Sequence, residues 1–193
     1  MGVRVGVVVV AVVLAVAGCS GGDAQDSALP SGSAPPQSSS PPSNPPSTAA
    51  TAPPPTAPPL PAAATQDTPA GAQSFARYYI AAQDYANRTG DTDLLRSLGS
   101  CKGCTATIDG IERFYEEGGS VVGGQLRVTH ANVTRHIPGH AALVALAYSQ
   151  AAGMLINGDG TRQQSTARAE NRVVMTLGRR DSGWILTNIQ GLG

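Results

Sequence analysis

Apolar and polar residues are laid out in three different ways along this chain. Residues 5–16 form one apolar run, residues 27–66 carry no charge and almost nothing large and apolar, and from Asp67 onward apolar positions recur with a regular period. In the last part the period is first helical. Ala72, Phe75, Ala76, Tyr79, Ala82 and Ala86 line one helix face, which predicts a helix over residues 69–88. Thr68-Pro69 supplies a hydroxyl cap and a proline at the first helical position, and Gly90 supplies the stop. Asp91 can cap a second, short helix with Leu94, Leu95 and Leu98 on its face. A third is expected over residues 105–117, along Ile108, Ile111, Phe114 and Tyr115, closed by Gly118-Gly119.

After Gly124 the period shortens towards two. Leu126 and Val128 are in one phase and Val133 and Ile137 in the other, which predicts a strand over residues 126–137 with a bulge near 129–132. Pro138-Gly139 marks a turn, and residues 141–148 are nearly all apolar, as in a strand covered on both sides. Asn157-Gly158-Asp159-Gly160 reads as a polar loop, a turn rather than a calcium loop, because the later ligand positions are missing. Strands over 167–177 and 184–189 follow, joined by the hairpin signal Arg179-Arg180-Asp181-Ser182-Gly183. The expected fold class is α+β, with three N-terminal helices packed on a curved four-stranded antiparallel sheet, cone-like in outline.

The N-terminal run is too short to cross a bilayer, which takes about 20 apolar residues. With Arg4 before it and Val16-Ala17-Gly18-Cys19 at its end, it has the form of a lipoprotein signal. Residues 1–18 are then removed, and Cys19 becomes the lipid-bearing first residue on the outer face of the bacterial cytoplasmic membrane. Two acyl chains make such an anchor stable, since each buried methylene contributes about 0.8 kcal/mol.

Composition refines the middle. The prolines crowd between Pro30 and Pro61, with only Pro69 and Pro138 elsewhere, so residues 19–66 read as a disordered Pro/Ser/Thr/Ala tether and 67–193 as the globular domain. In polyproline form, at about 3.1 Å per residue, such a tether would reach on the order of 100 Å. Its Ser/Thr/Pro content also resembles glycosylated stalks. The 13 basic and 13 acidic residues balance, and losing Arg4 shifts this by a single charge. A chain of this balance has no electrostatic footprint for nucleic acid, and the membrane contact expected is through the lipid alone.

Once Cys19 is lipidated, Cys101 and Cys104 are the remaining pair. Export favours a structural disulfide between the second and third helices. A redox motif at a helix N-terminus and a metal site are the alternatives, but a helix precedes this Cys-x-x-Cys where a strand would in thioredoxin-like proteins, and His130, His136 and His140 lack ligand spacing.

The order of three helices then a meander, ending with Gly183-Trp184 at the head of the last strand, resembles the nuclear-transport-factor-2-like cone fold. Cys19, the Pro-rich tether, Pro69-Ala70-Gly71-Ala72 leading to Phe75 and Tyr78-Tyr79, Tyr85-Ala86, Thr89-Gly90-Asp91-Thr92 and Cys101-Lys102-Gly103-Cys104 together carry a closer likeness. In these the chain resembles an uncharacterised family of actinobacterial lipoproteins, domain-of-unknown-function family 6318. The resemblance implies a location and a fold, with no established activity. Cone folds often enclose a pocket between helix and sheet, which Tyr78, Tyr79, Asp84, Tyr85 and His130 would line, and they often dimerise through the open sheet face. Tyrosines on an amphipathic helix are more usually core, however, and a general base needs a partner that sequence does not supply. The expectation is a non-catalytic binding module of the cell envelope, without cofactor, whose partner is a protein, a wall component or a small apolar ligand. An extracytoplasmic enzyme or carrier using such a pocket is the alternative.

Overall fold

The first helix begins as its sequence predicts: Thr68 Oγ1 accepts from Gly71 N at 3.0 Å, and Pro69 occupies the first helical position. The computed structural model describes residues 55–165 and 167–192, so the expectations for the signal, Cys19 and residues 1–54 lie outside the described residues. Helix α1 (Pro69–Thr89) ends at Gly90, whose φ of 77° is the left-handed cap a glycine adopts without strain. Helix α2 (Asp93–Leu98) is six residues long. Helix α3 (Lys102–Glu116) starts three residues before the expected Thr105, because Cys101 Sγ, and not a hydroxyl, caps it by accepting from Cys104 N at 3.0 Å.

The strands are β1 (Ser120–Gly123), β2 (Leu126–Ile137), β3 (Ala141–Gln150), β4 (Gly153–Ile156), β5 (Arg162–Ser165), β6 (Arg168–Arg180) and β7 (Gly183–Leu192). They form two antiparallel sheets, one of four strands in the order β2-β3-β6-β7 and one of three in the order β1-β4-β5. In β2 a register shift falls between Val128 and His130 and a second between Val133 and Arg135, so the change of phase seen in the sequence is taken up in two steps. Along β3, Ala142, Val144 and Leu146 are buried towards α1, while Leu143 and Ala145 point to the opposite face.

The expectation of three helices on one four-stranded sheet is therefore corrected. Among the described residues there are two sheets. Helix α1 lies against β2 and β3 but also meets β1, while α2 and α3 meet β7. Of the three α-helices among the described residues, α1 and α3 exceed six residues and α2 does not. The second sheet escaped the sequence because its strands have four residues each, too few to show alternation, and glycines at 118, 119, 123, 124 and 153 interrupt them. Asn157-Gly158-Asp159-Gly160 is the β4–β5 turn: Asp159 Oδ1 accepts from Thr161 N at 2.8 Å, and Gly160 N donates to Asn157 O.

The core joins Phe75, Tyr79 and Ile80 of α1 to Leu95, Ile108, Val144, Leu146, Met175, Leu177, Trp184 and Leu186. Residues 55–67 also belong to this assembly. Ala62–Thr65 makes one 3-10 turn with Ala64 buried, Tyr78 donates its hydroxyl to Pro58 O at 3.3 Å, and Trp184 Nε1 donates to Gln66 O.

Candidate functional site

Two aromatic residues at the end of α3 define a cleft. Tyr115 donates its hydroxyl to Asn87 O at 2.9 Å, fastening the end of α3 to the end of α1. Its ring lies so close over Gly90 that a Cβ there would meet Cγ of Tyr115 at 2.6 Å. Phe114 stands edge-on to Tyr115, with 5.6 Å between ring centroids, and rests on Gly119, whose N donates to Phe114 O at 2.9 Å. Opposite them is the short sheet, where Val121 pairs with Leu155 and Gly123 with Gly153. The space between is about 360 Å³, with Ile111, Phe114, Tyr115, Val121, Met154 and Leu155 as its apolar lining. Asn87, Thr107, Gln150 and Ser165 contribute uncharged polar groups.

Arg88 is the charged residue among those lining the cleft. Its guanidinium is held by Asp84 Oδ2 at 2.9 Å in an i,i+4 pair. Asp84 is engaged on its other oxygen too, since Oδ1 accepts from Leu126 N at 2.8 Å and so fixes the start of β2. The mid-helix Gly110 also faces this space, and nothing lies within 4 Å of the point where its Cβ would be.

The five residues expected to share a pocket are not brought together. Tyr79 is buried in the core and burial pushes its phenol up to about 12, so it stays protonated and serves no base chemistry near neutrality. Tyr78 faces Pro58, and burial raises its phenol as well. Tyr85 is turned to Asp91, donating to Oδ2 at 2.8 Å, and that hydrogen bond raises its phenol. Asp84 is consumed by Arg88 and Leu126. His130 pairs across the sheet with Ala147 and lies on the face turned away from α1, in a shallow depression with Glu170 and Leu192. The cleft itself was missed. The signal that could have found it is Gly110, a glycine in the middle of an amphipathic helix with no turn to make.

Cys101, the cap of α3, and Cys104 in its first turn are within disulfide distance and buried with Leu95 and Ile108 in the core cluster. Among the described residues no three His, Cys, Asp or Glu side chains gather to hold a metal, and no helix is long and apolar enough to cross a membrane.

A second polar cluster sits where residues 55–67 meet the sheet. Asp67 accepts from Gly139 N at 2.5 Å, and its Oδ1 is 3.0 Å from His136 Nε2. The Gly139 amide, then His136, hold the Asp67 carboxyl below its ordinary value. His136 is edge-on to Trp184 at 6.0 Å, and the Arg179 guanidinium lies 5.3 Å from the centre of the same indole.

Residues 42–190 match the profile of a family of unknown function, DUF6318. No curated protein matches the chain. Among solved structures, the intermembrane space region of chloroplast protein ARC6 is similar at 12% identity, with 66% of this chain and 98% of that one covered and a TM-score of 0.52, a likeness of fold alone. A putative calcium/calmodulin dependent protein kinase II association domain from Xanthomonas campestris matches at 17% identity over 65% of this chain and 87% of that one, with a TM-score of 0.38.

Proposed function

The chain belongs to DUF6318, a family of unknown function, and from that premise we propose that it is a lipid-anchored binding module of the cell envelope. The observation that carries the binding reading is the cleft between α3 and the short sheet: it is concave and apolar, while the candidate acids and bases are scattered, with Tyr85 held on Asp91 and Asp84 on Arg88 and Leu126 N. A concavity of about 360 Å³ with few polar groups has the ordinary character of a small-ligand site. The module is read as non-catalytic, because acid–base or nucleophilic chemistry needs two or three groups within hydrogen-bond reach of one reacting atom.

The anchoring part rests on Val16-Ala17-Gly18-Cys19. Residues 1–18 are removed, Cys19 carries the acyl groups, and the chain from there to the module is the tether on the outer face of the membrane of an actinobacterium. Helices before antiparallel strands, closing on the Gly183-Trp184 hairpin, support a place among the nuclear-transport-factor-2-like folds. A homodimer through the outer face of the four-stranded sheet is supported by Leu143, Ala145, Ala147 and Val174, which lie together there in register.

Mass analysis of the membrane-fraction protein tests the anchor: the mature N-terminus should be a diacylglyceryl Cys19, and Cys19→Ser should release the chain into the medium. An unmodified N-terminus elsewhere overturns it. Saturable uptake of a fluorescent apolar probe by the purified chain tests the binding reading.

A further inference from the structure

We propose that the cleft between α3 and the short sheet takes one uncharged, largely apolar small molecule, and that Gly110 is the residue that keeps room for it. This rests on the binding reading above and adds the chemistry of the ligand and the place it occupies. Three independent features of the cleft lead to it.

The first is size and lining. About 360 Å³ falls within the span of small-molecule sites, roughly 300–1,000 Å³. Ile111 and Phe114 on one wall face Val121 and Leu155 on the other, so an occupant would be sandwiched between apolar groups of two separate elements.

The second is charge. An ion entering an apolar cleft must be compensated by an opposite charge or it loses its hydration without return. Arg88 is the charged residue of the lining, and its guanidinium already faces Asp84 at 2.9 Å. What remains for recognition is uncharged: the amides of Asn87 and Gln150 and the hydroxyl of Ser165, with the Thr107 hydroxyl, which donates to Gly103 O at 3.0 Å, left only to accept; these suit a single hydroxyl or carbonyl.

The third is Gly110. Its neighbours Gly90 and Gly119 are required by their own contacts, since a Cβ would strike the Tyr115 ring at 2.6 Å in one case and Phe114 O at 2.5 Å in the other. Gly110 has no such reason. Nothing lies within 4 Å of its Cβ position, and a mid-helix glycine is destabilising relative to alanine. The chain thus carries a destabilising residue at a cleft-lining position of α3 where a side chain would meet no other part of the protein.

The test uses the full mature chain bearing Cys19→Ser, which needs no detergent, with N-phenylnaphthylamine as the uncharged fluorescent probe. One saturable site is expected, emptied by decanol at a concentration about tenfold lower than by decanoate or decyltrimethylammonium. Gly110→Leu should weaken the probe by about tenfold or more while circular dichroism holds and the melting temperature does not fall. Should Gly110→Leu misfold, Ala106→Phe, at the exposed mouth of the same cleft, serves in its place. Equal or better displacement by either ion overturns the ligand class. Saturable binding that neither substitution alters overturns the location while leaving a binding module, and the absence of saturable binding overturns both.

Discussion

The indole Nε1 of Trp184 donates to the main-chain carbonyl of Gln66 at 2.9 Å, joining two residues 118 positions apart. One sits at the head of the last strand and the other in a segment whose proline and alanine content reads as stalk. With Ala64 buried and Tyr78 bonded to Pro58, this makes residues 55–67 a working part of the domain.

Trp184→Phe keeps an aromatic ring in the core but removes the donor. It should destabilise the domain by about 1–2 kcal/mol, as expected for an orphaned carbonyl plus a small loss of packing. Urea denaturation gives the energy, and limited proteolysis should show cleavage within 55–66 at protease levels the parent chain withstands. Equal resistance in the two proteins would show that this hydrogen bond does not hold the segment.

Two glycine-to-alanine changes should move stability in opposite directions. Gly90→Ala forces φ of 77° on a residue with a Cβ and drives that Cβ into Tyr115, so it should cost more than about 1 kcal/mol. Gly110→Ala meets nothing and should gain up to about 1 kcal/mol. Thermal melts of the pair settle this, and a destabilised Gly110→Ala would mean that α3 does not have the free space described.

Acid should loosen the contact between Asp67 and the β2–β3 turn. Its folded-state carboxyl is lowered by the Gly139 amide and His136, so the stabilisation is present above the ordinary value of 3.8 and is lost as the pH falls through the lowered one. Glu112, lowered by the Thr92 hydroxyl and then by Arg96, acts in the same direction. Asp67→Asn should flatten the fall in stability between about pH 5 and pH 2, measured by denaturation at successive pH values. An unchanged slope would assign the acid response to other carboxylates.

Reducing Cys101–Cys104 should cost only about 2 kcal/mol, because the loop it closes spans four residues. The domain should remain folded in reductant with a lower denaturation midpoint. Cys101→Ser should lose the bridge but keep an acceptor for Cys104 N at the start of α3. Unfolding on reduction would show that the bridge, and not the core, holds α3 in place.

The long elements were legible because their apolar pattern is sustained. Six positions of α1 at helical spacing follow directly from the face they bury, and the apolar run of β3 marks a strand, although Leu143 and Ala145 on its outer face are half-buried and not covered as the run suggested. The short sheet was not legible, since strands of four residues with glycines between them lack a period. The pocket expected around Asp84 and His130 failed for a related reason. Pattern places a residue on a face, but whether its polar atom is already spent, as Asp84 is on Arg88 and Leu126 N, depends on partners far along the chain. Cys101 as a helix cap was hidden because the usual caps are oxygens.

The attachment of residues 55–67 also sets a load path. Tension arriving at Pro55 from the N-terminal side meets the Tyr78–Pro58 bond first, then buried Ala64, then Trp184–Gln66, and only then the Asp67 carboxylate and the cap of α1. Contacts in series yield one at a time, at about 1 kcal/mol for each hydrogen bond, so the segment would peel from α1 and β7 before the N-terminal cap of α1 is loaded. The domain therefore carries its own slack: a dozen residues that can be paid out under strain and rewound when it passes.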